Sequence, residues 1–287
     1  SSHLLTLLLA VGASVATSAF LQRPATTKNT QTETAYDRVL RTNTLRCGYW
    51  VSPPSTIFNP KTNKVEGFAI DVVEEMARRL SLKVEWTEEV SFGTQLAGLE
   101  TNRYDAACTG AFITAGRSRN AEWTTPFVYN GFVEVVRADD DRFENDTSRA
   151  NAADVTITIM DGDVTAEIAK NNFPLSRKLS LTQNGTYADA YLNITGHKAD
   201  LLFDLPGRVA AYIKNNGPKV KIVGADKPVL VSAWSIPVKA GEHKLSGMLS
   251  GAITEMLYDG SIERLAKPYE DTKGYYFFKP SVKLRDK

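Results

Sequence analysis

Strand-like and helix-like segments alternate along this chain of 287 residues, and this order constrains the fold more than any other feature. Residues 45–50, 83–87 and 104–111 are strand-like, and the segments between them are helix-like. In the first helical segment, apolar side chains from Ala69 to Leu80 recur on one face. This βαβαβ order predicts a mostly parallel sheet with right-handed crossovers.

The alternation restarts in the second half of the chain. A strand-like segment at residues 132–137 leads into a polar loop rather than a helix, and a new strand-like segment begins at residue 155. Helix, helix, strand, helix and strand signals then follow at residues 165–172, 187–194, 201–203, 207–215 and 220–223. Residues 229–238 are again strand-like and return the chain. The restart predicts two α/β lobes.

The composition argues against some classes of function. The 34 basic and 33 acidic side chains nearly cancel and form no basic stripe, so we expect no nucleic-acid partner. The three histidines lie far apart and lack the spacing of metal ligands. Because the chain also lacks a glycine-rich phosphate loop, we expect neither a metal nor a cofactor.

A run of small residues at 106–111 indicates a buried strand that stops near Thr109 and Gly110. A strand end leaves backbone N–H and C=O groups unpaired, and a helix expected to start near Thr114 would bring Arg117 back over them. A guanidinium beside backbone amides suits a carboxylate, because its planar fork grips both oxygens. The alternative is a surface arginine like the neighbouring Arg119.

Five stretches, in this order, carry a family resemblance: Leu-Arg-Cys-Gly-Tyr-Trp at 45–50, Val-Glu-Gly-Phe-Ala-Ile-Asp at 65–71, the Arg117 segment, Leu-Leu-Phe-Asp at 201–204, and Ser-Ile-Pro-Val-Lys at 235–239. Together they resemble the periplasmic solute-binding proteins of family 3, which serve amino-acid ABC transporters. The matches run from about residue 38 to residue 269.

The resemblance implies a periplasmic-binding-protein-like α/β fold, with two α/β lobes joined by a two-strand hinge. Lobe 1 would comprise residues 36–133 plus 236–287, and lobe 2 residues 134–235. The chain would cross between the lobes near residues 134–137 and 231–235. The resemblance also places Cys47 and Cys108 on neighbouring strands, so they form either a disulfide or two buried thiols.

The resemblance assigns roles to residues at the strand ends, where ligands gather in open α/β sheets. Arg117 would bind the ligand carboxylate, and the backbone at Thr109 and Gly110 would lie beside it. Asp204 would bind the ligand ammonium group; its alternative role is to cap the following helix. Trp50 would stack on the ligand, or else belong to the core.

The second-lobe turn departs from the family pattern. Asp163 and Val164 stand where hydroxyl residues are usual, before Thr165 at the helix start. Phe112 likewise replaces a Ser or Thr, and it would either contact the ligand or belong to the core. Asp163 would attract a cationic group or cap the helix. Because donors to a carboxylate are missing, we expect an aromatic, apolar or cationic ligand rather than glutamate or aspartate. That expectation assumes no second basic residue beside Asp204.

The function that the resemblance implies is capture of an amino acid or related small zwitterion by hinge closure, for delivery to an ABC permease in the inner membrane. Two alternatives stay open: a sensory ligand-binding module, and an enzyme similar to cyclohexadienyl dehydratases.

The segment at residues 1–35 combines an apolar stretch rich in small residues with a polar leader. Its apolar part is short for a membrane span, which needs about 20 residues. It is typical of a secretory signal, which predicts a periplasmic protein; an uncleaved membrane anchor is the alternative.

Overall fold

The computed structural model describes residues 33–269 except residues 54, 92, 145, 146, 183, 184, 225 and 226. The predicted signal-like segment therefore lies outside the described residues, apart from its last three positions. Within the described ranges, the helices are all too short or too polar to cross a membrane.

The described residues form helices and strands that alternate as the sequence predicts. The helices are α1 (Ala35–Thr42), α2 (Phe68–Arg79), α3 (Gln95–Glu100), α4 (Val164–Asn172), α5 (Tyr187–Thr195), α6 (Pro206–Asn216), α7 (His243–Tyr258) and α8 (Ser261–Ala266). The strands are β1 (Thr44–Tyr49), β2 (Ile57–Asn59), β3 (Lys64–Glu66), β4 (Lys83–Glu89), β5 (Ala106–Ala107), β6 (Ala111–Phe112), β7 (Ala121–Trp123), β8 (Val128–Arg137), β9 (Thr156–Met160), β10 (Arg177–Leu181), β11 (Leu201–Asp204), β12 (Val220–Val223), β13 (Leu230–Ser235) and β14 (Pro237–Lys239).

The first lobe is built on a five-stranded sheet in the order β4-β1-β5-β14-β7. Strand β1 pairs in parallel with β4 and β5, as the βαβαβ pattern predicts, and β14 joins antiparallel to β5 and β7. Helix α2 buries Phe68, Val72, Val73 and Met76 against this sheet, because these side chains recur on one face of the helix.

The second lobe is built on a sheet in the order β10-β9-β11-β8-β13-β6, with β12 also paired to β8. One face of this sheet packs on α5 and α6 through Val133, Val135 and Leu202. On the other face, Ile157 and Phe203 pack with residues of α4 in the larger core cluster. Helices on both faces make this lobe a second α/β layer structure, so the fold class predicted from the sequence is confirmed.

Strands β8 and β13 join the lobes. They pair antiparallel, with Tyr129 opposite Ala233 and Phe132 opposite Leu230. Residues 134–137, where we expected the first crossing, instead pair with β11 and β12 inside the second sheet. The two long strands nevertheless form the two-strand connection that the family resemblance implies.

The sequence and structure differ most over short elements. The expected strand at 104–111 is divided: β5 ends at Ala107, and β6 belongs to the other sheet. A turn at Gly110, with φ of +79°, separates the two strands. The hairpin of β2 and β3, the edge strand β10 and helix α1 were not predicted. These elements carry few buried side chains and so give a weak hydrophobic pattern.

Candidate functional site

A disulfide fixes the cleft edge of the first lobe. Cys47 on β1 is bonded to Cys108, with 5.3 Å between their Cα atoms. Of the two alternatives left open by the sequence, the structure has the disulfide. Cys108 comes directly before Thr109, so the cross-link holds the edge of the predicted site to the middle of the sheet.

Two hydrogen bonds hold Trp50 at this edge, one to a side-chain hydroxyl and one to a backbone carbonyl. Its backbone N–H donates to Thr109 Oγ1 at 3.2 Å, and its indole Nε1–H donates to the Gly110 carbonyl at 3.2 Å. Gly110 cannot be replaced without cost, because an added Cβ would lie 2.4 Å from Nε1 of Trp234. Thr109 and Gly110 therefore orient the tryptophan ring that borders the cleft.

Phe112 lies in the core rather than in the cleft. Its ring centroid is 4.9 Å from that of Phe132 and 5.9 Å from that of Trp234, and the residue is 4% exposed. Since β6 pairs with β13, the Phe112 side chain packs where the hinge strands meet the first lobe. Of the two roles left open by the sequence, a ligand contact or a core residue, Phe112 has the core position in this structure.

Arg117 bridges the two lobes. The helix expected to start at Thr114 is instead a single 3-10 turn, Arg117–Arg119, with the Thr114 hydroxyl accepting from the Arg117 N–H at 3.3 Å. The guanidinium donates to the Phe112 carbonyl at 3.1 Å and, across the cleft, to the Gly162 carbonyl at 2.6 Å. Burial lowers the pKa of Arg117, and the nearby carboxylates of Asp163 and Glu167 oppose that shift.

On the second-lobe edge, Asp163 caps α4. Its carboxylate accepts from the Thr165 N–H at 2.8 Å and from the Tyr187 hydroxyl at 3.3 Å. The neighbouring Val164 is 2% exposed and belongs to the core cluster, while the Thr165 hydroxyl accepts from the Met160 N–H at 3.4 Å. Asp163 thus has the capping role proposed from the sequence, together with a contact to a tyrosine.

Asp204 is fully buried at the end of β11 and is paired within the protein. It accepts from the Tyr191 hydroxyl at 2.8 Å and from the Leu205 N–H at 2.7 Å, and it forms an ion pair with Arg208 at 3.2 Å. Helix α6 is capped by Leu205, so Asp204 is not its N-cap. Burial raises the pKa of Asp204 to about 6, although Arg208 acts in the opposite direction.

Arg208 and Tyr187 connect the two acidic residues of this edge. The Arg208 guanidinium carbon lies 3.6 Å from the centre of the Tyr187 ring, an arrangement that favours cation–π attraction. Burial raises the pKa of Tyr187 well above its ordinary value, with the Asp163 charge adding to the effect. Asp163, Tyr187, Arg208 and Asp204 therefore form one continuous network across the second-lobe edge.

A cavity of about 520 Å³ lies between the two edges. The first lobe lines it with Trp50, Val51, Ser52, Pro53, Glu89, Val90 and Ser91. The second lobe lines it with Met160, Gly185, Thr186, Tyr187, Ala188, Tyr191, Arg208, Ala211, Tyr212, Asn215 and Asn216. A volume of this size and a mostly apolar lining with a few polar groups are typical of small-molecule sites.

Most of the predicted site residues do not line this cavity themselves. Trp50 is the predicted residue that borders the cavity, whereas Thr109, Gly110, Asp163 and Asp204 hold the side chains that do. Arg117 and Asp163 border a separate depression of about 380 Å³. The structure therefore gathers the predicted positions along the cleft but places several of them one layer away from its open space.

Sequence reasoning missed Tyr187, Arg208, Tyr212 and Glu89. One signal was present for Arg208, which lies four residues after Asp204 at the start of a helix, where opposite charges meet. Tyr187 falls on the apolar side of the helix predicted at residues 187–194, where a tyrosine is usually core.

Comparison with known proteins agrees with this architecture. Residues 45–272 match the family described as bacterial extracellular solute-binding proteins, family 3. A probable amino-acid ABC transporter-binding protein of Haemophilus influenzae is 32% identical over 246 residues, which cover 80% of this chain and 86% of that protein. ABC transporter arginine-binding protein 1 of Escherichia coli is 21% identical over 207 residues, covering 71% and 81% respectively. The chain belongs to the family 3 extracellular solute-binding proteins.

Solved structures share the fold. An ancestral amino acid-binding protein, described as a precursor of cyclohexadienyl dehydratase, superposes with a TM-score of 0.68 at 21% identity, covering 81% of this chain and 98% of that one. The substrate-binding protein of an amino acid ABC transporter gives a TM-score of 0.66 at 21% identity, covering 80% and 100%. The family and these relatives are described as binding proteins, which favours a binding role over an enzymatic one.

Proposed function

We propose that this protein captures an amino acid or a related small zwitterion outside the cytoplasm, in the periplasm, and delivers it to an ABC permease of the inner membrane. The observation that carries the proposal is the cavity of about 520 Å³ lined by both lobes. The names of two relatives support it: one is a probable amino-acid ABC transporter-binding protein, and the other is ABC transporter arginine-binding protein 1.

The mechanism we propose is closure of two lobes, residues 36–133 plus 236–287 and residues 134–235, about strands β8 and β13. A ligand that contacts both edges stabilises the closed form more than the open one, and the populations shift accordingly. The hydrogen bond from Arg117 to the Gly162 carbonyl belongs to that closed form, because it joins the two lobes.

In this proposal the predicted site residues have different roles: one contacts the ligand, and the others hold or support the side chains that line the cavity. Trp50 contacts the ligand, while Thr109 and Gly110 orient its ring. On the other edge, Asp163 and Asp204 hold Tyr187 and Arg208 against the cavity. Phe112, Val164 and Thr165 support the edges from beneath, and Arg117 links them.

The test begins with a thermal-shift screen of the twenty amino acids against the whole protein. A ligand present at a hundred times its dissociation constant adds about 2.7 kcal/mol of stability, which is readily detected. Solution scattering with a ligand found in this way should show a smaller radius of gyration, because the lobes move together. A screen in which no amino acid raises the melting temperature would contradict the proposed function.

Arg117→Ala should weaken that ligand's binding by about 1.5–3 kcal/mol, because the closed form loses a hydrogen bond from a charged group that joins the lobes. Calorimetry measures the effect. The matched control is Arg119→Ala, an exposed arginine two residues along the same turn, which should leave affinity unchanged. Equal affinities for the two variants would remove Arg117 from the binding cycle.

A further inference from the structure

The cavity between the lobes has one charge of each sign in its described lining. Glu89 comes from the end of β4 in the first lobe, and Arg208 comes from the first turn of α6 in the second lobe. All the other described lining residues are uncharged. A cavity built in this way is complementary to a molecule that carries both an acidic and a basic group.

Arg208 is set in place to receive an anion. Asp204 pairs with it at 3.2 Å, and the Tyr187 ring lies 3.6 Å from its guanidinium carbon, so two contacts fix the plane of the group. Its side chain remains 14% exposed, and the residue lines the cavity. A guanidinium has five N–H donors in a rigid fork, which matches the geometry of a carboxylate.

Arg117 is placed differently. Its guanidinium donates to the Phe112 and Gly162 carbonyls, and the residue is absent from the lining of this cavity. The sequence motif predicts that the ligand carboxylate binds Arg117, whereas the arginine that faces the larger cavity is Arg208.

The wall between the charged residues is largely aromatic and apolar. Trp50 from the first lobe and Tyr187 and Tyr212 from the second lobe line it, together with Met160 and Pro53. The Trp50 indole is fixed by its hydrogen bond to Gly110, and the Tyr212 ring stacks on Tyr191 with 3.9 Å between centroids. Rings held in fixed orientations favour flat aromatic ligands, which stack on them.

Building on the proposed function, we infer that the cognate ligand is an aromatic amino acid, with its carboxylate on Arg208, its ammonium group toward Glu89 and its ring beside Trp50 and Tyr212. Arg208 also changes an expectation from the sequence, since it is the second basic residue that the acidic edge lacked. An acidic amino acid remains disfavoured, because its additional carboxylate would meet Glu89 or an apolar wall.

The experiment uses calorimetry with three probes: L-phenylalanine, 3-phenylpropionate, which lacks the ammonium group, and L-phenylalaninamide, which lacks the carboxylate. Wild type should bind phenylalanine more tightly than either analogue. Glu89→Gln should lose about fivefold in affinity for phenylalanine, as for a solvent-exposed ion pair, and nothing for phenylpropionate. Glu85→Gln, an exposed acid on the same strand, is the control and should bind all three probes as wild type does.

Arg208→Lys keeps the charge beside Asp204 but removes the planar fork. It should lose about tenfold or more in affinity for phenylalanine, as for a hydrogen bond to a charged group, and little for phenylalaninamide. Lys214→Gln, an exposed cation on the same helix, is its control. If Arg208→Lys does not fold, the Glu89→Gln result with phenylalanine and phenylpropionate decides alone.

Two outcomes overturn the inference while leaving the proposed function standing. One is that arginine or glutamate stabilises wild type more than any aromatic amino acid. The other is that the Glu89 and Arg208 variants bind phenylalanine like their controls while Arg117→Ala abolishes binding. Failure of every amino acid in the thermal-shift screen would instead contradict the proposed function itself.

Discussion

The two edges of the cleft are stabilised in opposite ways. The first-lobe edge is cross-linked by the Cys47–Cys108 disulfide and presents a tryptophan ring and backbone groups. The second-lobe edge has no such cross-link in the described residues and buries charged side chains, Asp204 and Asp163, that are held by Arg208 and Tyr187. One edge is thus cross-linked, and the other contains buried charges, among which burial raises the pKa of Asp204 to about 6.

The largest expected effect tests the cross-linked edge. The disulfide closes a loop with a sequence separation of 61, and a loop of that length stabilises the fold by about 4 kcal/mol through the unfolded chain. The double variant Cys47→Ala with Cys108→Ala should lose about that much free energy of unfolding in urea. Wild type under reducing conditions is the control and should approach the variant. A loss below about 1 kcal/mol would show that the cross-link matters little to this lobe.

The second test concerns buried charge in the other lobe. Glu134 on β8 is 2% exposed, its Oε2 has no hydrogen-bond partner among the described residues, and burial raises its pKa to about 7. Its folded pKa exceeds the ordinary value of 4.5, so the folded state binds the proton more tightly. The free energy of unfolding should therefore fall as pH rises from 4.5 to about 7, by about 3 kcal/mol at 1.4 kcal/mol per pKa unit.

Glu134→Gln cannot ionise and should lack this fall, so it should be the more stable protein at pH 8. Urea unfolding at pH 4.5 and pH 8 measures the difference, and Asp204 contributes its own slope equally to both proteins. Glu85→Gln on the exposed face of β4 is the matched control and should keep the wild-type slope. Identical slopes in all three proteins would show that Glu134 is solvated.

The smallest effect compares the edges directly at two glycines with similar backbone angles, Gly110 at φ of +79° and Gly162 at φ of +76°. Alanine costs about 1–2 kcal/mol at either position, because a left-handed backbone crowds Cβ. At Gly110 the new Cβ would also lie 2.4 Å from Trp234 Nε1, whereas at Gly162 it would meet nothing within 4 Å.

Gly110→Ala should therefore lose about 1–3 kcal/mol more than Gly162→Ala, the cost of overpacking. Thermal unfolding of the two variants without ligand gives the comparison, and each serves as the control for the other. Equal losses would mean that the first-lobe edge yields to the added methyl group and is less rigid than its cross-link suggests.

The sequence predicted the fold well where hydrophobic periodicity was strong. The apolar face of α2 and the buried strands β9 and β11 were found within about two residues of their observed ends. The division of residues 104–111 between two sheets was not predicted, because a run of small buried residues has the same hydrophobic pattern whether it forms one strand or two. A left-handed turn at Gly110 is not visible as periodicity.

The predicted site residues lie along the cleft, but the sequence did not reveal which side chains they contact. Motif spacing placed Arg117, Asp163 and Asp204 along the cleft, since each follows a strand or opens a helix. The partners of these residues, Tyr187 and Arg208, lie on helices whose packing decides which side chains meet. Tertiary packing of this kind leaves no mark on a single sequence beyond the four-residue spacing of Asp204 and Arg208.

The hydrogen bond between Arg117 and the Gly162 carbonyl has a consequence for how an importer would read this protein. Both partners of the bond belong to the protein, so in the proposed closure mechanism it would favour the closed form even in empty molecules. Apparent affinity rises with the closed fraction, because the ligand then selects a conformation that is better populated. A permease that recognises only the closed form would also bind more empty protein. Arg117 would therefore raise the affinity for the ligand but lower the permease's discrimination between loaded and empty protein.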